Sequence, residues 1–206
     1  QTNVPFFASL HGDGKISEVA RMARLQRVMG DEIIMHEGEA GKAFYVVVSG
    51  SIRVLRQSRE GGAPLELSVL HAEKYFGEGS LVLDDRPCMA TCVATTQSTL
   101  LVLERDAFTA ICADEPAIRA ELRIKLLGPA CSLTDVLAFP PARASFAEFL
   151  RGEFADEHLE FLDVVSKFVD LQSSLLSSRA REICDRFVRE GAGRQINIPD
   201  QQRREC

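Results

Sequence analysis

The chain has 206 residues, a formal charge of −6, 46% hydrophobic and 26% charged residues. That length holds one large domain or two small ones, and the composition is that of a soluble globular protein, not a disordered tail. An acidic chain without clustered Lys and Arg makes a poor nucleic-acid binder, and no apolar run approaches the roughly 18–20 residues of a membrane helix.

The first half is punctuated by Gly30, Gly38, Gly41, Gly50, Gly61, Gly62, Gly77 and Gly79. Between them Glu32–His36, Phe44–Val48, Ser51–Leu55, Glu66–Leu70, Thr91–Thr95 and Thr99–Leu103 read as strands. Many short strands joined by glycine turns predict a sandwich, jelly roll or small barrel. The composition then changes. Asp106–Ala113 reads as a short helix capped by Asp106. Pro116 suits the first turn of the next helix, where Ile118, Leu122 and Leu126 form an apolar stripe. Gly128-Pro129 ends it, which gives a first domain over residues 1–128, a linker over 129–131 and a second domain over 132–206.

From Ser132 the pattern is helical. Ser132-x-x-Asp135 resembles a helix start, although a reciprocal cap prefers Glu or Gln at the last position. Ala142–Leu150 follows. Asp156–Leu171 places Leu159, Leu162, Val165, Phe168 and Val169 on one broad face. Ser178–Arg189 buries Ile183 and Phe187, and Asp200 caps a last short helix. The fold class expected is α+β: a β jelly-roll barrel with flanking helices, then an all-α bundle. Up to residue 131 there are 14 basic against 17 acidic residues, so no basic arm hides behind the total. The six cysteines show no Cys-x-x-Cys and read as reduced thiols, and the four histidines have no metal-ligand spacing, so no metal site is expected.

The most informative run is Phe76-Gly77-Glu78-Gly79-Ser80-Leu81, followed by Arg86-Pro87-Cys88-Met89-Ala90-Thr91. Two glycines around a Glu at the start of a helical turn let backbone N–H groups face a phosphate while the carboxylate accepts from a sugar hydroxyl. A nearby arginine would pair with the phosphate. The plainer alternative is a tight turn with a capping Glu.

Four further motifs precede that run: Gly30–Ile34, Glu37–Gly41, Phe44–Val47 and Ser49–Val54. In this order and spacing the five together resemble the cyclic nucleotide-binding domain of cAMP-dependent kinase regulatory subunits, cyclic nucleotide-gated channels and catabolite activator proteins, across residues 5–127. The resemblance implies a jelly roll of about eight strands with a helical segment before it and two helices after it. It implies that Glu78 binds the ribose 2′-hydroxyl, that Gly77, Gly79 and Ser80 offer backbone groups, that Leu81 and Val82 wall the pocket, and that the helix around Leu122 and Leu126 is its lid. In the family an Arg-x-Ala-Thr pattern supplies the phosphate arginine. Here Ala90 and Thr91 match, but Cys88 stands at the arginine position. Arg86 lies two residues earlier, a step of about 6.5 Å along a strand. Three outcomes are open: Arg86 reaches by its length, the loop is re-registered, or the phosphate contact is lost. Met89, in place of the Thr of cGMP-selective members, favours cAMP. A cupin-type metal enzyme fails for want of His and Glu ligands. A DNA-binding regulator fails for want of a basic helix-turn-helix.

In the second half, Phe146–Phe154, Asp156–Leu162, Ile183–Phe187 and Ile196–Ile198, after the opening Ser132–Leu137, resemble the domain of regulators of G-protein signalling. The plainer alternative is a generic amphipathic bundle. The resemblance implies an all-helical domain that holds the switch regions of a Gα·GTP subunit and donates no catalytic group. Glu157 matches an acidic contact and Asn197 the asparagine that reaches the GTPase centre. His158 stands where a second asparagine is usual, and Leu162 where tryptophan is usual. Such domains run longer than residues 132–206, and the chain starts without Met, so the expectation is an N-terminal part of that domain within a longer protein. The expected function is a non-enzymatic, cytoplasmic signalling module that takes cAMP in the barrel and contacts Gα through the helices. Two alternatives remain: the regulatory region of a larger kinase, and a scaffold whose barrel binds no nucleotide.

Overall fold

The computed structural model describes residues 13–58, 62–83, 86–169 and 173–204. Its two compact units cover residues 1–140 and 141–206.

The first unit opens with α1 (Asp13–Met22) and continues through β1 (Arg24–Val28), β2 (Ile33–Met35), β3 (Ala43–Ser49), β4 (Ile52–Arg56), β5 (Leu65–Leu70) and β6 (Tyr75–Phe76). A one-turn helix, α2 (Gly79–Val82), precedes β7 (Thr91–Ala94) and β8 (Ser98–Glu104). The strands form two antiparallel four-stranded sheets, in the orders β1-β8-β3-β6 and β2-β7-β4-β5. This is the expected jelly roll.

Strand β3 explains why one run reads as continuously apolar: its two faces serve two cores. Tyr45 and Val47 face Val28, Ile52, Phe76, Leu100 and Val102 inside the barrel, and the Tyr45 and Phe76 rings stack at 4.9 Å. Phe44 and Val46 face Phe108, Ile111, Ile118 and Leu122 of the helices, and the Phe44 and Phe108 rings stack at 5.2 Å. Those helices are α3 (Arg105–Asp114) and α4 (Pro116–Leu127). Helix α3 begins one residue before the expected cap. Glu104 is its N-cap without a side-chain bond, and Asp106 lies in the first turn. Pro116 opens α4 as expected.

A 3-10 turn (Gly128–Ala130) leads to α5 (Leu133–Ala138). Aspartate completes the reciprocal cap despite being the less usual residue. Ser132 Oγ accepts from Asp135 N–H at 3.1 Å, and the Asp135 carboxylate accepts from Ser132 N–H at 3.0 Å. Arg123 of α4 donates to the same carboxylate at 2.8 Å. Burial alone would raise the Asp135 carboxyl, but the bonds from Ser132 and Arg123 outweigh it and hold the group below the usual carboxylate range. This network is why α5 falls within the first compact unit, which ends at Pro140.

The second unit is helical: α6 (Pro140–Gly152), α7 (Glu157–Val169), α8 (Ser173–Ile183), a π-helical turn (Cys184–Val188) and α9 (Asp200–Arg204). Its core gathers Ile183, Phe187, Val188 and Ile196 against Phe161, Val164, Val165 and Phe168. The stripe on α7 follows the expected one at Leu159, Val165 and Phe168 and departs from it at Leu162. Phe161, Val165 and Phe168 keep helical spacing toward the core, whereas Leu162, one residue and about 100° further round, is 46% exposed. The expected helix end at Leu171 lies outside the described residues.

Candidate ligand-binding site

The turn after β6 is shaped by close backbone contacts. Gly77 has φ +89°, and a Cβ there would lie 2.6 Å from the Ala43 carbonyl oxygen. Gly41 is equally confined, since a Cβ would meet Ser80 Oγ at 1.8 Å. Arg105, the first residue of α3, fixes this approach. Its Nε and Nη2 donate to the Gly41 carbonyl at 2.9 and 2.6 Å, and Nη2 also donates to the Ser80 carbonyl at 3.1 Å. Ser80 Oγ donates to the Gly77 carbonyl at 3.1 Å. Gly41→Ala is therefore expected to destabilise the protein by about 1–3 kcal/mol through overpacking. The added change Ser80→Gly should recover most of it in urea titrations; no recovery would place the strain elsewhere.

The turn forms one wall of an open cavity of about 250 Å³. Met35, Val54, Leu67, Leu70 and Phe76 give the cavity an apolar lining, and Gly77, Glu78, Gly79, Ser80, Cys88 and Ala90 all reach it. The Glu78 carbonyl starts α2 by accepting from Leu81 N–H and Val82 N–H, which leaves the side chain at the cavity. Burial pushes the Glu78 carboxyl above its ordinary range, against a smaller lowering by its own backbone N–H. Burial, with smaller contributions from Glu78 and Cys88, pushes the Cys92 thiol up to about 12.

Cys88 is almost fully buried, and its thiol donates to Ser80 Oγ at 3.8 Å. Its N–H donates to the Glu39 carbonyl and its carbonyl accepts from Gly38 N–H, both at 2.8 Å. These bonds fix which residue turns inward. Arg86 stays in the preceding turn, exposed and outside the lining. Thr91 is also outside the lining, where its hydroxyl accepts from Glu37 N–H at 3.0 Å. Leu81 and Val82 pack with the helical core, as do Leu122 and Leu126, so none of these four lines the cavity. Helix α4 instead touches the cassette formed by the Gly77–Glu78 turn and α2 through Arg123 Nη1, which donates to the Val82 carbonyl at 3.0 Å.

In the helical unit, Arg194 donates to Asp156 and Glu160 at 2.8 Å each. The bond from Arg194 holds the Asp156 carboxyl low, and those carboxylates hold the guanidinium proton more tightly in turn. Ile196 N–H also donates to the Phe187 carbonyl at 2.9 Å. The segment that carries exposed Asn197 is thus fastened beside the start of α7, which carries Glu157 and His158. His158 Nδ1 lies 3.2 Å from the Glu157 carboxylate and 3.3 Å from the Ala155 carbonyl.

Residues 25–115 match the family model of the cyclic nucleotide-binding domain, and residues 132–206 match that of the regulator of G protein signaling domain. The chain carries a cyclic nucleotide-binding domain followed by an RGS domain. It is 29% identical over 160 residues to the cGMP-dependent protein kinase egl-4 of Caenorhabditis elegans, a match covering 77% of this chain and 20% of the kinase. It is 34% identical over 113 residues to the cyclic AMP receptor protein of Thermus thermophilus, covering 53% of this chain and 51% of that one. The regulatory domain of Toxoplasma gondii protein kinase A, solved with cAMP, superposes with a TM-score of 0.52 at 26% identity, covering 59% of this chain and 47% of that one. The chain thus spans about a fifth of the nematode kinase and about half of the other two.

Two residues of the cyclic nucleotide-binding domain escaped the sequence reading. Arg105 bonds to backbone carbonyls 64 and 25 positions away, for which no local pattern exists. Arg56 lines the cavity and had a legible signal: it continues the inward alternation Ile52, Val54 on β4. Among the described residues no group of His, Cys, Asp and Glu is arranged to hold a metal ion, and no helix is long and apolar enough to cross a membrane.

Proposed function

We propose that the chain is an intracellular signalling module that takes a cyclic nucleotide in the barrel cavity and contacts a Gα subunit through its RGS domain. The observation that carries the first half is Glu78. It is a desolvated carboxylate on a glycine-shaped turn, at an apolar cavity, with no cation bonded to it among the described residues. Such a group suits the vicinal oxygen chemistry of a ribose, whose hydroxyl donates to it, while the backbone of Gly77, Gly79 and Ser80 lies beside it for the phosphate. Leu67, Val54 and Met89 offer apolar surface to a purine. Met89 in place of Thr favours cAMP over cGMP. Titration calorimetry of the chain with both nucleotides tests this reading: saturable binding at micromolar concentration is expected, and no heat with either at ~100 μM overturns it.

For the second half, Glu157, His158 and Asn197 form the Gα contact, supported by the Arg194 clamp that holds their segments together. Single-turnover GTP hydrolysis by Gα should accelerate on adding the chain and return to the basal rate with Asn197→Ala. An unchanged rate with the native chain overturns the Gα contact. A second reading, the regulatory region of a larger kinase, is favoured by the alignment that covers most of this chain but a fifth of a cGMP-dependent kinase. Reading the coding sequence beyond Cys206 decides it.

A further inference from the structure

The cavity has an acid and no cation from its own cassette. Cys88 lines the cavity at the position where the family resemblance expects an arginine, and it spends its polar atoms on Ser80, Glu39 and Gly38. Arg86 is outside. A phosphate placed beside the Glu78 carboxylate in an apolar pocket would then carry an uncompensated negative charge, which a low-dielectric surrounding makes costly.

Arg56 is the one cation among the described residues that line the cavity. Its position follows from the ladder. Strand β4 pairs with β7 as Ile52↔Ala94, Arg53↔Val93, Val54↔Cys92 and Leu55↔Thr91. One further step sets Arg56 across from Ala90, at the strand-to-strand spacing of about 5 Å. The side-chain alternation separates it from its neighbour Arg53. Arg53 projects from the opposite face and lies 3.6 Å from the Asp31 carboxylate. Arg56 shares the inward face with Val54, and both line the cavity. An arginine at an inward position of an alternating strand conflicts with the apolar pattern around it, and such local conflicts mark functional positions. Among the described side chains it has no hydrogen-bond or ion-pair partner, and it stands exposed at the cavity.

We propose that Arg56 supplies the cationic contact to the ligand's phosphate that the cassette lacks, so that the phosphate is held from β4 against the Cys88–Ala90 segment. This rests on the cyclic nucleotide reading of the cavity. A planar guanidinium offers two parallel donors to phosphate oxygens, and the side chain is long enough to cross from the strand to the segment opposite it. Charge balance follows: Glu78 accepts from the sugar at one end and Arg56 neutralises the phosphate at the other.

The test is calorimetry on the full chain with cAMP, cGMP and the uncharged nucleosides adenosine and guanosine. Arg56 is exposed at a strand end, so Arg56→Gln should melt as the native protein does. It is expected to weaken the cyclic nucleotide on the order of ten- to a hundredfold while leaving the matching nucleoside unchanged. Arg56→Lys should recover part of the loss, and Cys88→Arg in the Arg56→Gln background should restore binding from the opposite wall. Equal affinity of native protein and Arg56→Gln for the cyclic nucleotide overturns the assignment while leaving the nucleotide reading intact. An equal loss for nucleoside and nucleotide also overturns it, since Arg56 would then touch base or sugar. Failure of the native chain to bind any of the four overturns the nucleotide reading and the assignment together.

Discussion

Phe187→Ala is expected to unfold the helical unit at ambient temperature. The ring is fully buried and meets Phe161 edge-on at 5.6 Å, with the Arg186 guanidinium 5.0 Å from its centroid. Removing a buried phenyl ring costs about 3–5 kcal/mol through lost transfer energy and the cavity left behind. A unit the size of residues 141–206 holds roughly 3–10 kcal/mol in total, so the loss takes most of its margin. Its other core residues are few, and the segment carrying Ile196 and Asn197 hangs on the Phe187 carbonyl. Helical circular dichroism should therefore fall sharply, and proteolysis should reach residues beyond Pro140 first. A loss below about 1 kcal/mol in urea titrations would show that this cluster is not the unit's core.

Glu78→Ala should weaken cyclic nucleotide binding by about one to two orders of magnitude. A hydroxyl bond to a carboxylate contributes about 1.5–3 kcal/mol, so the affinity drops roughly ten- to a hundredfold or more. The conservative Glu78→Gln separates binding from stability. Burial raises the folded carboxyl above its unfolded value, so the folded state holds the proton more tightly. The favourable contribution of Glu78 to stability is then complete below the unfolded pKa and is lost as pH rises through the folded one. At neutral pH the ionised, desolvated carboxylate opposes folding. Without ligand, Glu78→Gln is expected to melt higher than the native protein at pH 7, with the gap closing at acidic pH. Equal melting temperatures at pH 7 would show that the carboxylate is solvated. The two results together describe a group that opposes folding when the cavity is empty and is stabilised when a hydroxyl donates to it.

Much of the barrel was legible because its strands are apolar and bounded by glycine. β3, β4, β5, β7 and β8 differ from their expected limits by a residue or two. β1 was not legible. Arg24, Gln26 and Arg27 make it look like a solvated segment, and Leu25 is 67% exposed; only Val28 enters the core. It is a strand because β8 pairs with it along its whole length, which no local pattern reveals. β6, two residues long, gives no periodicity to read. In the site, glycines that mark forbidden Cβ positions exposed the cassette at once, and Glu78 with them. The cavity's cation has no local signature in the glycine turn, because Arg56 stands 34 positions before Ala90 in sequence and meets that segment only through the β4–β7 ladder. In the helical unit Glu157, His158 and Asn197 could be named from motif spacing, whereas the Arg194 clamp that gathers them depends on tertiary pairing.

Arg123 holds the last carbonyl of the cassette helix with one nitrogen and the capping carboxylate of α5 with another. A guanidinium is rigid and planar, so these two bonds cannot be optimised independently. Displacement of Val82 therefore strains the Arg123–Asp135 bond, and displacement of Asp135 strains the Val82 bond. Thermodynamic linkage makes the effect reciprocal: if occupancy of the barrel changes the equilibrium position of α5 by some factor, any partner that selects that position changes the barrel's affinity by the same factor. The barrel's ligand affinity would then report, through a single side chain, on whatever binds the far end of its domain.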